Sequence, residues 1–216
     1  MTTSLQLNIL DSKRKAHFQK LAAFKKNGYL GGGTALALQL GHRISHDLDI
    51  FLSKPLSLNI VHQISKIFPL WKTLVNSSDE LTFLTKDKVK LSFIFYPFKL
   101  QAFLKKDRVL PLPLLSPEGI ALTKAYALSR RNSWRDYVDL YFILKNKFTS
   151  LSQIIRQSKK IYGESFSEKL FLAQLLYTAD IAQGEVKTIR LLTEKTLTPT
   201  QVRNFFKTQI DAYLKN

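Results

Sequence analysis

Residues 30–51 read LGGGTALALQLGHRISHDLDIF, from Leu30 to Phe51, and the order of their parts decides the fold. An apolar strand end runs into glycines, a helix-forming stretch follows, and a second extended stretch presents two acids. Tyr29-Leu30-Gly31 has the composition of a short strand. Gly32-Gly33-Thr34 opens a helix that continues to about Leu40 and stops at Gly41. From His46 to Phe51 the residues alternate, with Leu48 and Ile50 on one side and Asp47 and Asp49 on the other.

Each part has a physical use. Gly32 and Gly33 carry no side chains, so backbone N–H groups can approach an anion closely. The new helix adds unpaired N–H groups and the positive end of its dipole. Thr34 offers a hydroxyl to the same anion. Asp47 and Asp49 point to one face of their strand, with Cα atoms roughly 6–7 Å apart. Two carboxylates beside a phosphate cradle suit a hard divalent ion, Mg2+ or Mn2+, which takes oxygen ligands and is often shared with nucleotide phosphates. Taken alone, the glycines make a tight turn and the acids a wet strand side. Acids are depleted on strands, and their distance from the glycines turns the reading toward a phosphate site.

Outward from this segment the periodicity changes twice. Before it, Phe18, Leu21, Ala22 and Phe24 fit a helix over 12–26, ended by Asn27-Gly28. After it, Ser57 caps a helix running to Phe68 with Ile60, Val61, Ile64 and Ile67 as its apolar stripe. Strand-like runs follow over 71–75, 81–85 and 89–96, joined by hairpin-sized connections. A further short strand is expected near Arg108 to Leu112, and Leu110 to Pro117 reads as a Pro-rich linker. Beyond it the pattern is helical. Ser116-Pro117-Glu118 starts a helix to about Arg130, Ser133-Trp134-Arg135-Asp136 has the form of a capping box, Ser165 to Glu168 precedes a helix over 170–182, and Thr198-Pro199 starts the last. The expected class is α+β: a mixed sheet with flanking helices over residues 1–115, then a helical bundle over 116–216.

Composition bounds the chemistry. Of the 216 residues 45% are apolar, enough for a buried core, and no run is long and apolar enough to cross a bilayer. There is no cysteine, which excludes disulfides, thiolate zinc sites and thiol nucleophiles. With no secretory signal in the first residues, a cytoplasmic chain is expected. The net charge is +17, and both halves are basic: residues 1–115 carry 17 basic and 7 acidic side chains, residues 116–216 carry 16 and 9. Such a field attracts polyanions, nucleic acid and nucleotide phosphates among them; solvated surface lysines are the alternative. His42 and His46 flank Arg43-Ile44-Ser45 at a spacing unlike a zinc site.

The segment resembles the first motif of the AbiEii/AbiGii-toxin-like nucleotidyltransferases, a branch of the DNA polymerase β-like superfamily. Gly32, Gly33, Thr34, Ala35, Leu36, Gly41, His42, Arg43, Ser45, Asp47, Leu48, Asp49 and Phe51 carry that wording. A second stretch matches too: Lys124 in Leu122-Thr123-Lys124-Ala125, then Arg135-Asp136-Tyr137-Val138-Asp139-Leu140. The resemblance covers about residues 27–145. It implies a nucleotidyltransferase-like head that binds an NTP with Mg2+ or Mn2+ and transfers a nucleoside monophosphate to an acceptor, tRNA or another RNA. It further implies a toxin role with a cognate antitoxin. Asp47 and Asp49 would hold the metal, Gly32, Gly33, Thr34, Arg43 and Ser45 would bind nucleotide, Lys124 would contact phosphates and Asp136 would be a further catalytic carboxylate. Asp136 also has the position of a capping-box acid, and Arg43 could equally pair with Asp47. Arg130, Arg131 and Arg135 are the expected nucleic-acid contacts. One departure stands out: the superfamily places a third carboxylate on a later strand, where this chain has Ser92. A catalytically impaired fold that binds RNA or protein is the alternative.

Overall fold

The computed structural model describes residues 5–107 and 110–215. The chain divides into two compact units, Met1–Leu40 with Ser45–Ser116, and Gly41–Ile44 with Pro117–Asn216.

The first unit is built on strands β1 (Gly28–Leu30), β2 (Leu48–Leu52), β3 (Leu70–Asn76), β4 (Glu80–Thr85), β5 (Lys90–Phe95), β6 (Leu104–Lys105) and β7 (Leu114–Leu115). They form one seven-stranded mixed sheet in the order β3-β4-β5-β2-β1-β7-β6. β2 lies parallel to β5 and β1 parallel to β7, while the other neighbours are antiparallel. Helices α1 (Ser12–Lys20), α2 (Gly32–Leu40) and α3 (Leu58–Ile67) flank it.

Alternation gives the sheet two unlike faces. Leu48, Ile50 and Leu52 of β2, Leu91 and Phe93 of β5, and Leu81 and Phe83 of β4 are buried. Phe24 meets Phe93 edge-on at 4.9 Å, and Phe68 sits 6.1 Å from Phe93 and 6.3 Å from Phe83. Burying each such ring contributes about 1.5–3 kcal/mol, so this cluster anchors the central strands. The other face of the same strands presents Asp49 and Ser92.

Where the sequence suggests one helix over 12–26, α1 ends at Lys20 and a 3-10 turn covers Leu21–Phe24. The tighter turn eclipses residues three apart, and so drives Leu21 and Phe24, both 0% exposed, into the core together. Strand β3 is an edge whose residues are almost all exposed, with register shifts around Trp71 and Leu74. Such bulges bend an edge away from further pairing. Of the strand expected near Arg108, residues 108–109 lie outside the described residues. Leu110 to Leu112 form bends, and β7 instead forms at Leu114–Leu115.

The second unit consists of α4 (Pro117–Leu128), α5 (Trp134–Lys145), α6 (Leu151–Tyr162), α7 (Glu168–Leu176), α8 (Gln183–Thr188) and α9 (Pro199–Leu214). Helix α4 packs on α5, α6 and α7, and α9 on α5, α6 and α7. No helix is separately expected over 151–162, yet α6 has a complete capping box in Ser150 and Gln153, and buries Leu151, Ile154, Ile155 and Tyr162. Helix α7 stops at Leu176, short of the expected 182. At that end the Tyr137 hydroxyl lies 2.8 Å from the carbonyls of Gln174 and Tyr177, within reach to satisfy one of the helix-end acceptors. Residues 41–44 belong here by hydrogen bonding. Ile44 N–H donates to Arg190 O and Leu192 N–H to His42 O, each at 2.9 Å, around an antiparallel bridge of Arg43 with Leu191.

Candidate functional site

The bend between β1 and α2 is made by Gly32 in the left-handed region, at φ +64°. Gly31 N–H donates to the Asp49 carbonyl at 2.9 Å, which fastens the bend to β2. The Asp49 side chain then folds over it: a Cβ placed on Gly32 would lie 2.5 Å from Asp49 Oδ2. Gly31 is constrained as well, since a Cβ there would come within 2.8 Å of the Phe51 ring. The acid and the glycine bend expected to cooperate are therefore in direct apposition.

Asp47 lies just ahead of β2. Its carboxylate is 31% exposed and 3.6 Å from Lys90 Nζ. The parallel register of β2 with β5 sets Asp49 beside Ser92, which in turn faces Thr82 on β4. Ser92 is buried, so the third-carboxylate place read from the sequence adjoins Asp49 and holds a hydroxyl. Thr34 Oγ1 lies 2.8 Å from Ser45 Oγ and also hydrogen-bonds with the Asp47 carbonyl. Both hydroxyl side chains are buried. Their visible work is to hold the turn that carries Asp47, helped by Arg14 Nε, which donates to the His46 carbonyl at 3.0 Å.

The second unit gathers a different set. Asp139, 0% exposed, accepts Arg43 Nε at 2.7 Å and Nη2 at 3.0 Å, has His42 Nε2 at 2.9 Å, and pairs with Lys124 Nζ at 2.9 Å. Asp136 accepts Lys124 Nζ at 2.5 Å and Arg131 Nε at 2.9 Å. Burial opposes every one of these charges. The cations nevertheless prevail at both acids: Arg43 and Lys124 hold Asp139 well below the usual carboxylate range, and Lys124 and Arg131 lower Asp136. For Lys124 burial again opposes the charge, and Asp136 and Asp139 outweigh it to raise its pKa. His42 goes the other way, because burial lowers its pKa more than Asp139 raises it.

The expected residues thus fall into two groups. Gly32, Gly33, Thr34, Ser45, Asp47 and Asp49 lie in the sheet unit. Arg43, Lys124, Arg130, Arg131, Arg135 and Asp136 lie in the helical unit. Asp136 does not close a capping box with Ser133. Glu185 takes that place, accepting from Ser133 Oγ at 2.8 Å and from Trp134 N–H at 2.9 Å. Asp139 and His42, read from the sequence as structural or surface residues, are the centre of the buried network. The cue was the co-occurrence of Gly41-His42-Arg43 with Asp139-Leu140, invisible to local periodicity. Among the described residues no three His, Cys, Asp or Glu side chains gather as a metal site, and no helix is long and apolar enough to cross a membrane.

Residues 18–215 match the family described as "Nucleotidyl transferase AbiEii toxin, Type IV TA system". An uncharacterized protein of Aquifex aeolicus is 32% identical over 191 residues, which is 87% of this chain and 88% of that protein. Among solved structures, JHP933 from Helicobacter pylori is similar with a TM-score of 0.56 at 20% identity, covering 98% of this chain and 96% of that one. MenT4, a nucleotidyltransferase toxin from Mycobacterium tuberculosis H37Rv, has a TM-score of 0.56 at 16% identity, covering 91% and 82%.

Proposed function

The chain belongs to the AbiEii nucleotidyl transferase toxin family, and from that premise we propose that it transfers a nucleoside monophosphate from an NTP to an acceptor hydroxyl, the acceptor being RNA. The observation that carries this reading is the Asp49 carboxylate lying over the Gly32 bend, two residues after Asp47. The bend supplies backbone N–H groups at the start of α2 for phosphate oxygens. Asp47 and Asp49 would hold a divalent ion, Mg2+ or Mn2+. Two protein carboxylates, without a third acid, suit an ion whose remaining ligands are water and substrate phosphate. When bound, that ion neutralises charge on the reacting phosphates.

The acceptor oxygen attacks the α-phosphorus. A new P–O bond forms there as the bond to the bridging oxygen breaks, and pyrophosphate leaves. Asp49 accepts a hydrogen bond from the attacking hydroxyl and takes its proton. Thr34 and Ser45 keep Asp47 in place through the turn they brace. In the helical unit Arg43 and Lys124 would bind nucleotide phosphate and Arg130, Arg131 and Arg135 nucleic acid, with Asp136 orienting Lys124 and Arg131. The net charge of +17 suits an RNA acceptor. Family membership extends the reading to a toxin with a cognate antitoxin, acting in the cytoplasm.

Radiolabelled NTP, Mg2+ and total tRNA test the proposal directly. Wild type should transfer label to RNA, and Asp49→Ala should abolish transfer while its circular dichroism is unchanged. Equal transfer by both proteins would end the proposal. Ser92 beside Asp49 favours a second reading, an impaired fold that binds RNA or protein without transfer. RNA binding unaffected by Asp49→Ala, with no transfer by either protein, is its signature.

A further inference from the structure

Strand β5 opens on a lysine that reaches one of the two candidate metal acids. Alternation along β5 puts Lys90 on the same side as Ser92, which the register sets beside Asp49. Lys90 Nζ lies 3.6 Å from Asp47 Oδ2. Each acid therefore has a β5 neighbour, and neither neighbour is a carboxylate: Ser92 stands by Asp49 and Lys90 by Asp47. The acid closest to Lys90 in the sequence is engaged elsewhere. Asp87 has His17 Nε2 at 2.9 and 3.0 Å from its two oxygens and accepts from Thr85 Oγ1 at 2.5 Å.

The contact of Lys90 with Asp47 is loose. At 3.6 Å it is longer than a normal hydrogen bond, and the two side chains are 38% and 31% exposed. Lys145 on Glu194, by comparison, closes to 2.5 Å. A part-exposed ion pair at the longer distance contributes little, so the ammonium can change partner at small cost. Lysine suits such an exchange, being a compact charge on a flexible stem. The set of acids gives the exchange a use. Asp47 and Asp49 fit one divalent ion, and among the described residues no group of three metal-ligating side chains forms to hold a second. Where a two-ion site sets a second metal against the phosphates, this one has an ammonium.

We propose that Lys90 is a further substrate-binding residue of the sheet unit. In the free chain it rests on Asp47. In the loaded chain it leaves Asp47 to the divalent ion and binds a phosphate oxygen of the NTP, where it supplies the positive charge of a second ion. The proposal rests on the transfer reading for the presence of ion and nucleotide at Asp47 and Asp49.

The exchange gives opposite effects on two ligands. Lys90→Met keeps the apolar stem and removes the charge, Lys90→Gln repeats the test with a polar end, and circular dichroism checks that both are folded. Mn2+ binding to the nucleotide-free full chain, read by electron paramagnetic resonance, should tighten by about threefold or more in both variants, because a like charge beside Asp47 is gone. At saturating Mg2+, calorimetry with the α,β-methylene analogues of ATP, GTP, CTP and UTP should show about tenfold or more weaker binding of whichever analogue wild type takes, with part of the loss recovered in Lys90→Arg. Tighter Mn2+ with unchanged nucleotide binding would make Lys90 a counter-ion of Asp47 alone and overturn the proposal. Unchanged or weaker Mn2+ binding would overturn it as well. Wild type that binds neither Mn2+ nor any analogue would end both this proposal and the transfer reading, whereas both opposite effects without label transfer would sink the transfer reading alone.

Discussion

Asp49 Oδ2 occupies the space in which a side chain on Gly32 would begin, only 2.5 Å from a Cβ placed there. The relationship is reciprocal. The backbone of residue 32 sits at φ +64°, which an L-residue adopts at a cost of about 1–2 kcal/mol, and the carboxylate can lie over the bend only because nothing projects from it. Gly32→Ala should thus lower stability by about that amount and push Asp49 aside. A displacement near 1 Å at a reacting group can cost about a hundredfold in rate, so label transfer should fall by at least that factor. Steady-state transfer beside urea unfolding measures both effects. A rate within threefold of wild type would show that Asp49 does its work elsewhere.

Thr34 separates two roles by their signatures. The sequence offers its hydroxyl to a nucleotide phosphate, whereas in the structure that hydroxyl is buried against Ser45 Oγ and the Asp47 carbonyl. Thr34→Val keeps the shape and leaves these buried partners short of a bond, for a loss of about 1–3 kcal/mol. Transfer should then drop through kcat, with KM for NTP nearly unchanged, and Thr34→Ser should restore both rate and stability. A raised KM with unchanged stability would return Thr34 to the phosphate.

The contrast between Asp49 and Asp139 marks what was legible in the sequence. Strand alternation around Leu48 and Ile50, glycines ahead of a helix, and Ser57 or Thr198 as caps are local signals, so the strands β1 to β5 and several helix starts could be read from them. Helix ends were harder. The end of α7 is met by the Tyr137 hydroxyl, 37 and 40 residues away from the carbonyls it lies against. The pairing of Arg43 and His42 with Asp139 spans 96 and 97 residues, and no periodicity encodes it. Asp136 shows how a local motif misleads: it has the spacing of a capping acid, but Lys124 and Arg131 outbid Ser133 for its oxygens, and Glu185 caps α5 instead.

Ser92 stands beside Asp49 in register and is 3% exposed. Ser92→Asp would put two carboxylates about 5 Å apart on neighbouring strands, where like charges destabilise each other unless a cation intervenes. The variant should melt below wild type in EDTA and regain the difference as Mg2+ is added, with half-maximal recovery at lower Mg2+ than wild type needs for transfer. Ser92→Ala should leave transfer within about threefold of wild type, because a serine hydroxyl is a weak ligand for the ion. If Mg2+ does nothing for the melting of Ser92→Asp, the Asp49 face is not where the ion binds.

The buried ion network makes stability depend on pH in a defined way. Asp136 and Asp139 titrate below their ordinary value of 3.8 in the folded chain, so the stabilisation they give is complete above that pH and drains away as pH falls through their folded values. Lys124 is raised above 10.5, and its contribution is complete below that pH and lost only as pH rises through its higher folded value. Between these limits His42 titrates: burial holds its pKa below 6.5 in the folded chain, so stability is full above that pH and declines as pH falls through the lowered value. Asp139→Asn leaves Arg43 and Lys124 buried with one acid fewer, which should cost about 3–5 kcal/mol near neutrality. Below pH 3.8 the unfolded wild type takes up a proton at Asp139 that the folded chain resists, so the gap between the melting temperatures should narrow as pH falls toward the lower folded value. Melting curves of both proteins from pH 2 to pH 9 read this directly, and a gap that stays constant across the acid limb would mean that Asp139 is not ionised in the folded chain.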